Sequence, residues 1–191
     1  MHSRRCCSAV FNSHKRLRLG KGERNFAAVP NEHCNGTIVM PDSNLWYFAY
    51  GSNLSRRQML ERTGSIPSSR TAHLANYQLA FRKVCGRDEV YADIAPANGA
   101  IVHGVAYLCS SQAMAHLDLF EGVSEDCYRR VLVQVTTASG ERLSAFAYIG
   151  GKAFSNEQGK PSKSYLNLIL TGAREHQLPA DYVTAIELHA I

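Results

Sequence analysis

Short apolar segments separated by glycine and polar turns run through most of the chain. Where apolar and polar residues alternate, or where an aromatic run is bounded by glycine, the pattern predicts a strand. These segments are Leu45–Tyr50, Leu74–Val84, Val90–Ala95, Ala100–Leu108, Tyr128–Thr137 and Leu143–Ile149. The turn at 139–141 predicts that the last two form a hairpin.

Other segments of the chain have the signals of helices. The Ser55-x-x-Gln58 capping pattern predicts a helix ending near Thr63. Further helices are expected at Ser110–Phe120, at Lys163–His176 and after Pro179. Because strands mostly follow strands, a doubly wound parallel sheet does not fit. The order favours an α+β fold, with an antiparallel or mixed sheet and helices packed at its flanks.

Residues 1–39 differ from the rest of the chain. They show no sustained period, and they hold seven Lys or Arg against two acids, a net +5. We expect a disordered, basic N-terminal tail over residues 1–39 and one domain over residues 40–191. The tail has the composition of an Arg- and Ser-rich transit peptide, or it is a leader upstream of a true start at Met40. A nucleic-acid-binding arm is a third alternative, although no aromatic residues interleave its charges.

Charge and composition narrow the class of protein. The chain has 191 residues, which suits one domain. Residues 40–191 hold fourteen residues of each sign, and this neutrality argues against a nucleic-acid-binding domain. No apolar run reaches the eighteen or so residues that a membrane helix needs. We therefore expect no nucleic-acid partner and no membrane contact.

The six cysteines form no Cys-x-x-Cys pair, and the histidines are spread singly. This spacing predicts no zinc site and no other metal site. The default interpretation is free thiols in a reducing compartment, with Cys127 a buried, unreactive thiol. We expect a cytoplasmic protein, unless residues 1–39 direct it to an organelle.

A first candidate site is the turn Tyr50-Gly51-Ser52-Asn53-Leu54. A strand enters this turn and a helix begins soon after it, so main-chain amides are left unpaired and point outward. Such amides suit a carboxylate or a phosphate. Most turns of this composition merely connect two elements, so the signal by itself is weak.

A second candidate is Glu121, in the segment Leu117-Asp-Leu-Phe-Glu-Gly-Val123. It ends a helix, where the helix dipole disfavours a negative charge, and its neighbours are apolar. Burial there would raise its pKa, which is typical of a functional carboxyl. The alternative is a glutamate that points to water. Asp118 is either its partner or a solvated neighbour, and Tyr128, Tyr148 and Tyr165 are aromatic candidates that core packing would equally explain.

Three segments together resemble the γ-glutamylcyclotransferase family. Tyr47-Phe-Ala-Tyr-Gly-Ser-Asn-Leu54 is similar to its opening motif, and Leu117-Asp-x-x-Glu-Gly-Val123 is similar to its catalytic segment. Pro161-Ser-x-x-Tyr165, Gly172-Ala-x-Glu175 and Leu178-Pro-x-x-Tyr182 resemble its C-terminal region. The similarity covers about residues 45–187, in the family's order.

The resemblance implies a small mixed β-barrel with flanking helices and a cofactor-independent enzyme. Its small-molecule substrate would be a γ-glutamyl amino acid or peptide, which is cyclised to 5-oxoproline as part of glutathione metabolism. Glu121 matches the catalytic glutamate. The implied substrate-binding residues are Tyr50, Gly51, Ser52, Asn53, Leu54, Tyr128, Tyr148 and Tyr165. Since the glutathione-specific branch usually has an apolar residue in place of Asn53, the chain looks closer to the γ-glutamyl-amino-acid type.

Alternatives remain open at this point. They are a cyclotransferase for γ-glutamyl amines such as γ-glutamyl-ε-lysine, and a module that binds a γ-glutamyl group or carboxylate without turnover. The oligomeric state is also open, with a homodimer among the choices.

The implied chemistry explains why the glutamate would be buried. The substrate's α-amine attacks its own γ-carbonyl, so a proton must move from that amine to the departing nitrogen. An α-amino group titrates near ~8 and an ordinary glutamate near ~4.3, a gap that costs about 5 kcal/mol at ~1.4 kcal/mol per pKa unit. Burial narrows this gap because it raises the carboxyl pKa.

Overall fold

The computed structural model describes residues 44–84 and 89–190. Within these residues the α-helices and strands follow one another as β1 Leu45–Ala49, α1 Arg56–Thr63, β2 Ser68–Val84, β3 Val90–Cys109, α2 Ser111–Phe120, β4 Tyr128–Thr137, β5 Arg142–Gly150, β6 Phe154–Gln158, α3 Lys163–Glu175 and α4 Ala180–Glu187. Short 3-10 turns lie at Ser52–Leu54, Val123–Glu125 and Leu188–Ala190. The predicted tail 1–39 and Met40 lie outside the described residues.

The sheet closes on itself. Its strand order is β3-β1-β5-β4-β2-β6, and β2 also pairs with β3, which closes a barrel of five strands with β6 attached to β2. The β1–β5 pair is parallel, whereas the other pairs are antiparallel. Closure satisfies the main-chain groups that an open sheet would leave at its edges. The prediction of an α+β fold, with a small mixed β-barrel and flanking helices, is confirmed.

Strands β2 and β3 form one long hairpin, and the prediction of two separate strands over Val90–Ala95 and Ala100–Leu108 was wrong. The register shifts between Ala75 and Tyr77, where Asn76 has a φ of 61°. Gly99, with a φ of 78°, donates its amide to Asn76 Oδ1 over 3.1 Å. On β3, residues 97–100 lie between the paired positions Pro96 and Ile101. This irregularity interrupts the alternation of β3 without ending the strand.

The strand predicted over Leu74–Val84 begins six residues earlier, at Ser68. The other predicted elements are present within a residue or two of their expected ends, while β6 was not predicted. Ser55 caps α1, since its Oγ accepts the Gln58 main-chain amide at 3.4 Å. The second half of the capping box does not form. The Gln58 side chain instead donates to Ser52 Oγ over 2.8 Å and to Asn53 Oδ1 over 3.1 Å, so it supports the turn before the helix.

The core fills the barrel and extends under the helices. Apolar side chains on the inner faces of the strands, such as Phe48, Ile94 and Val105, are fully or almost fully buried. Helix α3 lies directly on the Ser52–Leu54 turn, because a Cβ at Gly172 would come within 2.2 Å of the Leu54 carbonyl carbon. The core thus holds the end of β1 between the barrel and α3.

Over the described residues, the helices are too short and too polar for any of them to cross a membrane.

Candidate active site

A small cavity with a volume of about 30 Å³ opens where β1 ends. Its walls come from four strands (β1, β3, β4 and β5), the turn after β1, the end of α2, and α3. The lining residues are Tyr47, Tyr50, Gly51, Ser52, Asn53, Ala92, Glu121, Tyr128, Tyr148 and Tyr165.

The structure brings together all but one of the residues singled out in the sequence. The exception is Leu54, which does not line the cavity. Its side chain is fully buried behind the turn, and its carbonyl accepts the Tyr107 hydroxyl at 3.1 Å. Leu54 therefore anchors the turn to the core from behind.

The Gly51–Asn53 turn presents main-chain amides beside the cavity. Within the turn, Leu54 N donates to the Gly51 carbonyl at 2.9 Å and Ser55 N donates to the Ser52 carbonyl at 3.1 Å. Among the described residues, the amides of Gly51, Ser52 and Asn53 have no protein acceptor. A Cβ on Gly51 would lie 3.3 Å from that of Ala92, so the absence of a side chain keeps this wall of the cavity open.

Glu121 is the carboxyl group of the cavity. It caps the C-terminus of α2, its amide donates to the Leu117 carbonyl at 2.8 Å, and the residue is only 9% exposed. Burial raises its pKa, while Arg62 and the Asn53 hydrogen bond act in the opposite direction and Asp118 adds a smaller raising effect. The alternative of a solvated glutamate is excluded by this burial.

Asn53 and Arg62 hold one oxygen of that carboxyl group. Asn53 Nδ2 donates to Glu121 Oε1 over 2.9 Å and to the Tyr47 hydroxyl over 2.8 Å. Arg62 Nη1 donates to the same Oε1 at 3.0 Å and to Asn53 Oδ1 at 2.8 Å. The Arg62 guanidinium also lies over the Phe120 ring, 5.0 Å from its centroid.

The five tyrosine hydroxyls of the cavity have different partners. The Tyr50 hydroxyl donates to the Tyr148 carbonyl. The Tyr128 hydroxyl donates to the Ala92 carbonyl over 2.7 Å, and the Tyr148 hydroxyl donates to Asp118 Oδ1 over 2.7 Å. By contrast, the Tyr165 hydroxyl accepts the Ala92 amide at 3.1 Å and that of Tyr47 accepts Asn53. Tyr47 and Tyr165 therefore keep a hydroxyl hydrogen that can be donated to a ligand.

Asp118 is not the partner of Glu121. Its two oxygens bind the Tyr148 hydroxyl and, at 3.1 Å, Arg130. Cys127 is buried and disulfide-bonded, so the prediction of a free thiol was wrong for this residue.

Sequence reasoning did not assign a site role to Tyr47, Ala92 or Arg62. The signal for Arg62 was present but weak, since it lies one helical turn after the buried Met59 on α1. A basic residue on the buried side of a helix needs a partner. Nothing local in the sequence identifies that partner as Glu121, which is 59 residues away.

The arrangement can bind an anion or an oxyanion at the turn and can exchange a proton at Glu121. In the part of the chain that the structure describes, no group of three or more His, Cys, Asp or Glu could hold a metal ion.

Comparison with known proteins links this geometry to described relatives. A model of the AIG2-like family matches residues 101–186. A bovine gamma-glutamylcyclotransferase is 31% identical over 159 residues, covering 81% of this chain and 83% of its own length, and the human gamma-glutamylcyclotransferase is 29% identical over the same shares. A solved structure described as a gamma-glutamyl cyclotransferase superposes with a TM-score of 0.71 at 28% identity, covering 76% of this chain and 87% of its own.

Proposed function

Because the chain belongs to the γ-glutamylcyclotransferase family, we propose that it cyclises γ-glutamyl amino acids or peptides to 5-oxoproline and releases the free amine. The observation that carries this proposal is a buried carboxyl group, Glu121, facing a cavity beside the free amides of the Gly51–Asn53 turn.

The cavity suits the glutamyl part of such a substrate. The glutamyl group would lie against the lining residues, with the leaving amine placed toward the opening. The amides of the turn would bind the substrate α-carboxylate or stabilise the oxyanion that forms at the γ-carbon. The hydroxyl hydrogens of Tyr47 and Tyr165 are available for the substrate's remaining oxygens.

The reaction needs one proton carrier and no co-substrate. The α-nitrogen bonds to the γ-carbon, and the bond from that carbon to the leaving nitrogen breaks. The α-nitrogen loses two protons as it changes from an ammonium to the lactam N–H. Glu121 takes them up one at a time and passes them to the leaving nitrogen, which departs as an ammonium, so the enzyme ends as it began. Since both reacting groups belong to one molecule, holding them at attack distance supplies up to roughly 7–11 kcal/mol of the barrier.

Burial of Glu121 fits this role. A raised carboxyl pKa reduces the difference between the pKa of the glutamate and that of the amine from which it takes a proton. Positioned acid–base groups contribute roughly 10²–10⁴ in rate.

The test uses the purified full chain with γ-glutamyl-alanine, glutathione and γ-glutamyl-ε-lysine, and measures 5-oxoproline by mass spectrometry. We expect turnover of the γ-glutamyl dipeptide and a loss of at least about 10²-fold in Glu121→Gln. Glu125→Gln is the matched control, because Glu125 is exposed and lies four residues along the chain.

Three outcomes would contradict the proposal. A folded Glu121→Gln variant with full activity would remove Glu121 as the proton carrier. Binding of γ-glutamyl compounds without any 5-oxoproline would instead indicate a binding module. Exclusive turnover of γ-glutamyl-ε-lysine would move the enzyme to the γ-glutamyl-amine class.

We also propose that the enzyme is a lyase of the cytoplasm. Cell fractionation with an antibody to the full chain would test this location against organelle targeting by residues 1–39.

A further inference from the structure

Arg62 is a buried cation beside the cavity but does not line it. Its side chain is 13% exposed and that of Glu121 is 11% exposed, so the pair is largely shielded from water. Arg62 lies on α1 and Glu121 at the end of α2, and the two helices pack against each other. A substrate in the cavity would meet Glu121 and not Arg62.

The two oxygens of Glu121 have different surroundings. Oε1 accepts both Asn53 Nδ2 (2.9 Å) and Arg62 Nη1 (3.0 Å). No residue in 44–84 or 89–190 donates a hydrogen bond to Oε2, although Glu121 is one of the residues that line the cavity. Proton exchange with a ligand is therefore open to Oε2, whereas protonation of Oε1 would oppose two donors.

We propose that Arg62 is a positioning residue for this reaction: by bridging Asn53 and Glu121 it fixes Oε1, so that Oε2 alone exchanges the substrate's proton. The inference rests on the proposed function for the identity of that proton. The orientation itself follows from the hydrogen bonds.

Arg62 also sets the charge balance of the cavity. Besides Arg62, the titratable groups that face Glu121 are Asp118 on α2 and five tyrosines. The tyrosines lie on β1, the turn after it, β4, β5 and α3, and they are Tyr47, Tyr50, Tyr128, Tyr148 and Tyr165. Among the described residues Arg62 is the cation that acts on the Glu121 carboxyl, where it lowers the pKa against the effect of burial. Without it, a buried carboxylate would have no opposite charge and would take up a proton.

The test measures the titration of Glu121 directly, in the full chain labelled with ¹³C at glutamate carboxyls and assigned by comparison with Glu121→Gln. In Arg62→Met we expect the Glu121 pKa to rise by about one to three units, since an adjacent opposite charge has an effect of that size. The acid limb of the pH profile of kcat/KM should move up by the same amount.

Two matched variants separate charge from other effects. Arg57→Met makes the same change on the same helix, at a residue whose side chain is 75% exposed and pairs with Glu61, and it should leave the titration unchanged. Arg62→Lys keeps the charge, so its Glu121 pKa should be nearer to that of the unmodified chain than the pKa in Arg62→Met. If Arg62→Met does not fold, Arg62→Gln replaces it, with the same expected shift.

A folded Arg62→Met or Arg62→Gln variant in which Glu121 titrates unchanged would overturn the inference. The titration needs no turnover, so it decides the role of Arg62 even if no γ-glutamyl compound is cyclised. Conversely, if Glu121→Gln abolishes activity while the Arg62 variants leave the titration unchanged, the proposed function stands and the inference about Arg62 fails.

Discussion

Asn53 donates its side-chain amide to Glu121 over 2.9 Å, joining residues 68 positions apart. One residue belongs to the first glycine turn and the other to the end of α2. The bond is buried and is shared with Arg62 and Tyr47, so the turn and the carboxyl group form one unit. Substitutions in the turn or at the end of α2 should therefore alter the titration of the Glu121 carboxyl.

Replacing Asn53 by Asp should impair the enzyme without changing side-chain size. A second carboxylate would face Glu121 Oε1 in place of the amide donor, and like charges at this distance raise the pKa of one of the pair. We expect kcat/KM at pH 7 to fall at least about tenfold, with the acid limb of the pH profile moved upward. Asn167→Asp, on the exposed side of α3, is the control. Superimposable profiles for Asn53→Asp and the unmodified chain would contradict this prediction.

Removing the hydroxyls of two cavity tyrosines should distinguish an effect on substrate binding from an effect on stability. Tyr128→Phe leaves the Ala92 carbonyl without its 2.7 Å donor in a buried place, so unfolding free energy should fall by about 1–3 kcal/mol. Tyr165→Phe also removes a contact to Ala92, but in addition it removes a hydroxyl hydrogen available to substrate. We expect the larger rise in KM in Tyr165→Phe. Urea denaturation and steady-state kinetics on both variants check this, and the reverse order would refute it.

Gly172→Ala should disturb the fold and the site together. The added Cβ would lie 2.2 Å from the Leu54 carbonyl carbon and 2.4 Å from Ser55 N, both main-chain atoms that cannot rotate away. Overpacking costs about 1–3 kcal/mol, and we expect at least the upper part of that range from urea denaturation. Thr171→Ala, on the exposed face of α3, should cost less than about 1 kcal/mol. Equal stabilities would show that α3 can move off the turn.

The pH dependence of stability should reveal the burial of Glu121. Its pKa is raised in the folded state by desolvation, so the native protein holds this proton at pH values where the unfolded chain has lost it. This contribution to stability is complete below the ordinary glutamate pKa. It is lost as pH rises through the folded-state pKa, at about 1.4 kcal/mol for each unit by which the two values differ.

Glu121→Gln cannot titrate, so it should gain stability relative to the unmodified chain as pH rises across that window. Urea denaturation of both proteins from pH 4 to pH 8 measures the difference. A difference that stays constant over this range would mean that Glu121 has the same pKa in both states.

Local sequence patterns predicted many of the strands and helices. The alternation at Tyr128–Thr137, the helical spacing at Ser110–Phe120 and the capping residue Ser55 each depend on neighbours within a few positions, and the structure has these elements where the pattern placed them. Glu121 stood out for the same reason, since an acid at a helix C-terminus among apolar neighbours opposes its local environment. Residues 97–100 of β3, opposite Asn76, lie between the register positions Pro96 and Ile101 and break the same kind of pattern, which is why β3 was divided in two.

The sequence by itself determined the elements, the glycine turn and the acidic residue, because these follow from periodicity, capping and local conflict. Only the tertiary structure decided which groups surround that acid. Tyr47 and Ala92 line the cavity, and Arg62 reaches Glu121 beside it, because β2 and β3 close the barrel and α1 packs beside α2. Such contacts join residues far apart in the chain, and their geometry is set by strand register and helix packing, neither of which leaves a short-range pattern in the sequence.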